Sequence, residues 1–323
     1  MANECFKLQL TNSIGNNTFR RLNEFGIPLI KRGDGSAPIK FNFTGNGTIS
    51  YIRLANGNGM LYSDNAMTQP LGTETSITSN SVYIKLNADD TVFLKGQSDI
   101  AYFQPTYESD NINSPCLSID FSIFKYMPKL SSLTIYTMGG NGMPEMTNIE
   151  ELSLLPSLTR LVVSYSTPGG NLSLLKSATL ETFEGLNSFF TGDINNIAIN
   201  NPKLTRLQIG CGNFDGIQLD VKNIAGTQLT DCSIQNLEQR GVITYTGSDS
   251  VSFNGIKNLV VTGNSFPTNQ LDNLLIALSK STFGDIPTKC NVTLRGTRST
   301  ISDSAVELLK TKCTLKLNNI VVS

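Results

Sequence analysis

The residues that do chemistry in most enzymes are missing or scattered in this sequence. It has no histidine, which removes the commonest general base at neutral pH and the commonest metal ligand, so no Ser-His-Asp or Cys-His arrangement exists. Acid–base work would fall to carboxylates, Lys or Tyr, and the carboxylates do not cluster. Asp89-Asp90 falls in a turn and Glu150-Glu151 opens a later segment. Both read as solvated, because an acid–base pair needs a shared cleft. Gly139-Gly140-Asn141-Gly142 and Gly210-Cys211-Gly212 are glycine-rich. Neither lies between a strand and a helix with a following Lys, as a phosphate loop would, so both read as turns. The expectation is no enzyme, no cofactor and no metal.

Six cysteines stand at Cys5, Cys116, Cys211, Cys232, Cys290 and Cys313, with no CxxC pair. A zinc site without His needs four close thiolates, so these read as buried free thiols of a chain made in a reducing compartment. Cys290 and Cys313 each lie two residues before a repeated apolar position, so stacking would bring them within reach of one another. Sequons at Asn16, Asn42, Asn46, Asn171 and Asn291 reflect a high asparagine content.

Charge narrows the partners. Lys and Arg total 25 against 26 Asp and Glu, which lacks the basic excess of a nucleic-acid binder. Charged residues make up only 16%, so the surface must be built largely from Asn, Ser, Thr and Gly. No apolar run is long enough to span a membrane, and the first ten residues lack the pattern of an export signal.

The elements that would position a binding surface fall into two blocks. Residues 1–105 read as a small, sandwich-like β domain of short strands that serves for attachment. Phe6, Leu8 and Leu10 alternate with polar residues. Ile39, Phe41 and Phe43 alternate again, then Gly45-Asn46-Gly47 leads to Ile49, Tyr51 and Leu54 as a hairpin. Val82–Leu86 and Val92–Leu94, joined through Asn87–Asp90, read as a second hairpin. Residues 55–75 read as a long loop, and 18–25 as a short helix ended by Gly26 and Pro28.

Residues 106–323 carry a self-similar kernel, L-x-x-L-x-L. It appears at Leu130-Ser-Ser-Leu133-Thr-Ile135, Leu158-Thr-Arg-Leu161-Val-Val163, Leu180-Glu-Thr-Phe183-Glu-Gly185 and Leu204-Thr-Arg-Leu207-Gln-Ile209. Leu229-Thr-Asp-Cys232-Ser-Ile234 and Ile256-Lys-Asn-Leu259-Val-Val261 follow, with shorter kernels at Val292 and Leu315. From the fourth kernel position the steps are 28, 22, 24, 25, 27, 33 and 23 residues, mostly within the leucine-rich-repeat range. An irregular solenoid of about eight units is expected; a parallel β-helix or an ordinary α/β domain is the alternative. Helical spacing over 268–281 and 303–312 predicts helices behind the last strands, with irregular or 3₁₀ connections earlier. Kernel leucines must stack against neighbouring units, because no single unit can bury them. Leu133, Leu161, Phe183, Leu207, Cys232, Leu259, Val292 and Leu315 should then form one buried ladder.

Ile39-Lys-Phe-Asn-Phe-Thr-Gly-Asn-Gly-Thr-Ile-Ser-Tyr51, followed by Val82-Tyr-Ile-Lys-Leu-Asn-Ala-Asp-Asp-Thr-Val-Phe-Leu-Lys-Gly96, resembles the N-terminal β module of BspA-like surface proteins of Bacteroidota. In that family the module precedes leucine-rich repeats, and virion proteins of crAss-like phages of those hosts share the pairing. The sequence departs from the family at Asp90, which stands where the family has the Asp after Gly, and in having no Trp.

The resemblance and the chemistry together imply a structural or interaction protein. The leading expectation is a tailed-phage virion component (head fibre, capsid decoration or tail-associated protein), made in the host cytoplasm. A bacterial cell-surface adhesin is the alternative, and a glycan hydrolase finds no acid pair. The outer, concave face of the repeats is the candidate binding surface, through Tyr136, Arg160, Ser164, Glu184, Arg206, Gln208, Gln235 and Arg295. Its ligand would be a host surface glycan or protein. Ile320, Val321 and Val322 lie beside the last strand and are expected to meet a second copy or another virion protein, or to fold over the end as a lid.

Overall fold

The computed structural model describes residues 20–22, 28–30, 39–44, 50–55, 60–62, 68, 74–75, 81–86, 91–95, 100–107, 116–136, 146–164, 170–186, 190–210, 217–235, 241–283 and 290–322. These residues are mainly β, with few helices and one long sheet of twelve strands. We number its strands in chain order: β1 (Ser50–Ala55), β2 (Glu74–Thr75), β3 (Ser81–Leu86), β4 (Tyr102–Tyr107), β5 (Ser132–Tyr136), β6 (Arg160–Ser164), β7 (Thr182–Leu186), β8 (Arg206–Gly210), β9 (Asp231–Gln235), β10 (Asn258–Phe266), β11 (Cys290–Arg298) and β12 (Cys313–Val322). From β4 to β12 the strands follow one another in sequence order, and every neighbouring pair is parallel. On the other side of β4 the order is β1, β3, β2, all antiparallel.

The kernel residues fall into register without a slip. Leu133 pairs with Leu161, then the partners run through Phe183, Leu207, Cys232, Leu259, Val292 and Leu315. The first seven are fully buried, while Leu315 is partly covered and packs against the same core. A strand's side chains alternate between its faces. The column two residues on, Ile135, Val163, Gly185, Ile209, Ile234, Val261, Leu294 and Leu317, therefore shares the inner face. Phe103 of β4 pairs with Leu133, and Ile100 is as buried as Leu130. Ile100-Ala-Tyr-Phe103 is thus a further rung ahead of the first expected kernel, and the expected boundary after residue 105 falls inside β4.

Strand entry is fixed by a repeated node. The carbonyl of Ala101 accepts from the N–H groups of both Ser131 and Ser132, and those of Ser131, Thr159, Glu181, Thr205 and Thr230 each do the same for the next unit. Hydroxyls add to it: Ser131 donates to the Ala101 carbonyl at 3.0 Å, Thr159 to Ser131 at 3.1 Å, Thr205 to Glu181 at 3.2 Å and Thr230 to Thr205 at 3.3 Å. Each unit therefore takes its register from the one before.

Behind the long sheet the units close differently. Short 3₁₀ turns occupy Phe121–Tyr126, Ile149–Leu154, Leu172–Leu174 and Val221–Ile224, and a single helical turn, α1, spans Ile197–Asn200. Asn171 and Asp220 start their turns by accepting from the N–H two residues on. The last units use the expected helices, α2 (Thr268–Lys280) and α3 (Asp303–Lys312). Their apolar faces, including Leu271, Leu274, Leu275 and Leu278 on α2, are buried. A second parallel ladder of Gly170–Asn171, Phe190–Asp193, Ile217–Asp220 and Val242–Thr244 was not anticipated.

Several expectations for the first third need correction. Ile39–Thr44 lies in a five-stranded sheet, paired with Thr91–Lys95 and Cys116–Asp120, whereas β1 belongs to the long sheet. β3 and Thr91–Lys95 are divided in the same way, so neither expected hairpin forms. Alternation specifies which face of a strand is apolar but not which strand it pairs with, and two sheets satisfy it as well as one. Met60–Tyr62 and β2 are strands inside the expected loop; the former adds an apolar run to the five-stranded sheet. Arg20–Leu22 is a strand paired with Pro28–Ile30, not helix; an eight-residue helix is too short to hold by itself. The predicted strand at Phe6–Leu10 lies outside the described residues.

Candidate functional site

The outward face of β5–β12 is set by register. The residue just before each kernel leucine forms one column: Ser132, Arg160, Thr182, Arg206, Asp231, Asn258, Asn291 and Thr314. The residue just after it forms the next: Thr134, Val162, Glu184, Gln208, Ser233, Val260, Thr293 and Lys316.

Within these columns the charged residues find each other. Arg160 Nη2 lies 3.2 Å from Glu184 Oε2, Arg206 Nε lies 3.3 Å from Glu184 Oε1, and Arg206 Nη1 lies 3.5 Å from Asp231 Oδ2. Asn258 Nδ2 donates to Asp231 Oδ1 at 2.8 Å. A chain of alternating sign thus crosses five adjacent strands, β6 to β10, and its charges cancel. The Arg206 Nε contact is close in distance but lacks hydrogen-bond geometry, so we treat it as an ion pair only. The arginines are 42–43% exposed and Glu184 is 14% exposed. At such exposure each pair contributes about 0–1 kcal/mol, enough to hold register without making a rigid clamp.

The candidate residues divide accordingly. Arg160, Glu184 and Arg206 are brought together, but mostly by one another. Gln208 stands between Glu184 and Ser233 in its column, half-exposed. Gln235 Nε2 donates to Ser233 Oγ at 2.6 Å. Arg295 is further along, paired by register with Asn318 and half-exposed. Tyr136 ends β5, its register partner being Ser164. Ser164 is 4% exposed: its column is outward by alternation, yet the residue is buried and presents nothing to a ligand. Asp231 and Asn258, which complete the charge chain, were missed. Their signal was positional, since a polar or charged residue precedes the fourth kernel position in unit after unit.

Ile320, Val321 and Val322 do not fold over the last unit. They continue β12, with Val321 paired to Thr297 and Val322 to Arg298 after a register shift. Val322 is 53% exposed, and β12 is the outermost strand of the sheet. Cys290 and Cys313 are register partners. Their thiols donate to the carbonyls of Ile256, at 3.9 Å, and Leu309, at 3.3 Å.

Among the described residues no group of three or more Cys, Asp and Glu is arranged to hold a metal ion, and no helix is long and apolar enough to cross a membrane. What the face offers a ligand is a row of amides, hydroxyls and paired charges at strand spacing. No family model, no curated protein and no solved structure matches this chain.

Proposed function

We propose that the chain is a non-enzymatic structural and interaction protein built on an irregular leucine-rich-repeat solenoid. In this reading it is a component of a tailed-phage virion (head fibre, capsid decoration or tail-associated protein). The observation that carries the repeat reading is the kernel ladder: eight residues, spaced 22–33 apart in sequence, lie in unbroken register. Repeats stacked this way expose a long outer face and bury only their own neighbours, an architecture suited to extended binding surfaces. The thiols of Cys290 and Cys313, register partners that each donate to a carbonyl, suit assembly in a reducing host cytoplasm. The outermost strand β12, with Val322 exposed, is the place for a second copy or another virion protein to add on.

The resemblance of 39–51 and 82–96 to BspA-like modules supports a second reading, a bacterial cell-surface adhesin, with the same solenoid and the same face. Mass spectrometry of purified virions separates the two. Recovery of the chain as a stoichiometric particle protein is the expected result. Recovery only from the bacterial envelope would replace the virion reading with the adhesin.

A further inference from the structure

The outward face of the long sheet changes character towards its last strands. On β6–β9 each cation is answered by a carboxylate on the strand that follows: Arg160 of β6 by Glu184 of β7 at 3.2 Å, and Arg206 of β8 by Asp231 of β9 at 3.5 Å. On β11 the outward positions are Asn291, Thr293 and Arg295, and opposite them in register on β12 stand Thr314, Lys316 and Asn318. All six are exposed or half-exposed, while Val292 and Leu294, between the β11 positions, are fully buried. The six carry two positive charges and no negative one. Neither Arg295 nor Lys316 has an ion pair or a side-chain hydrogen bond among the described residues.

The inner side of β12 is unfinished as well. Val292 and Leu294 are fully buried, but their register partners Leu315 and Leu317 are only partly covered. Elsewhere in the ladder an inner residue has a strand on either side. Among the described residues β12 is outermost and has a strand on one side only. Its free edge presents backbone N–H and C=O groups along a strand of 10 residues, Cys313–Val322.

We propose that β12 takes on a further strand from a different protein, one that alternates apolar and acidic residues. Its apolar side chains cover Leu315 and Leu317, and a carboxylate meets Lys316 on the outward face. A strand edge selects a polypeptide, whose own N–H and C=O groups repeat at the spacing the edge requires, about 4.8 Å away. Alternation sends successive side chains to opposite faces, so one strand supplies both the cover and the charge. A second β12 does not fit. It contains no Asp or Glu, so self-pairing would leave Lys316 unanswered. The opposite edge of the sheet, β2, is a strand of 2 residues, too short to cover β12. This inference rests on the reading of the chain as an interaction protein to which partners add at β12, and it specifies the partner's chemistry.

The probe is a synthetic peptide of β12's length that alternates valine with glutamate, labelled for fluorescence anisotropy and titrated with the full chain. It should bind, less tightly as salt is added, and should slow hydrogen exchange in β12 while leaving β6–β9 unchanged. A peptide with lysine in place of glutamate, and one with its valines and glutamates in separate blocks, should not bind. Lys316→Glu should weaken the glutamate peptide about tenfold and make the chain bind the lysine peptide, because a favourable cross-strand pair is exchanged for an unfavourable one and the reverse. That gain of binding guards against a variant that has lost its fold. Lys310→Glu, on α3 behind the sheet, should change neither. No binding of the glutamate peptide, equal binding of the blocked one, protection outside β12, or failure of the charge swap would each overturn the proposal. A dimer of the chain that excludes the peptide would do the same, by giving the edge to a second copy. Recovery of the chain from virions with no binding of the peptide would keep the particle reading and remove this one; binding by a chain absent from virions would do the reverse.

Discussion

Gly185 occupies a position that is Val163 in the preceding unit and Ile209 in the next. An inner-face glycine in a stacked core would leave a hole unless something else filled it. Phe183 and Phe190 do, edge to face with ring centroids 5.5 Å apart. A Cβ on Gly185 would lie 2.8 Å from Phe190 Cε2 and 3.2 Å from two carbons of the Phe183 ring. Gly185→Ala should therefore destabilise by about 1–3 kcal/mol through overpacking, and Phe190→Leu should recover part of that loss; additive effects of the two changes in denaturant melts would refute the compensation. Cys232 is a second case in which surroundings decide behaviour. Burial, with a smaller push from Asp231, raises its thiol to about 12. Iodoacetamide at pH 8 should leave Cys232 unmodified in the native chain and alkylate it in denaturant, as peptide mapping would show. Neither behaviour was legible beforehand. The sequence located Phe183 and Cys232 as kernel residues, but the compensating Phe190 belongs to a different strand. In the same way Arg160 and Glu184 were recognisable as outward polar residues, while their mutual pairing was not, because residue type does not say whether a charge meets a ligand or a neighbour.

At the scale of elements, the parts with a long local signal were readable and the parts defined by partners were not. Helices α2 and α3 each declare themselves through apolar spacing within one segment, and they begin and end within a residue of expectation. The second ladder is built from strands of two to four residues, too short to carry a period. Their placement depends on contacts between units, and Asp220 is the plainest of these. It starts the Val221–Ile224 turn by accepting from Lys222 N–H, and it accepts from both the N–H and the hydroxyl of Thr246 in the next unit. Burial alone would raise this carboxyl, but those hydrogen bonds and the Lys222 side chain outweigh it and hold it below its ordinary value. A carboxyl lowered by folding contributes stability that is fully present above its unfolded value, about pH 4. That contribution disappears as pH falls through the lower folded value. The difference in melting temperature between the wild-type chain and Asp220→Asn should therefore shrink as pH is lowered from neutrality towards 2. A difference that stays constant over that range would mean the carboxylate charge is not what joins the two units.

Across the described residues from β4 to β10, each strand takes its register from the one before, through entry nodes at Ala101, Ser131, Thr159, Glu181, Thr205 and Thr230. Core contacts likewise run between neighbours along the kernel ladder. If the chain is the repeat solenoid proposed above, nearest-neighbour terms stabilise it, and damage should spread by units and fade with distance. Leu207 tests this, being fully buried at the middle of the ladder between Phe183 and Cys232. Leu207→Ala should cost about 2–5 kcal/mol, as large-to-small changes in a packed core do. The pattern of loss is more telling than its size. Native-state hydrogen exchange should show protection falling most in β7, β8 and β9. β5 on one side and β11 on the other should keep most of theirs, because each lies three strands from β8 in the sheet. An equal fall at every protected amide would mean that the chain unfolds as one cooperative unit. In that case the shared nodes and the continuous core would couple the ends more tightly than neighbour-to-neighbour stacking allows.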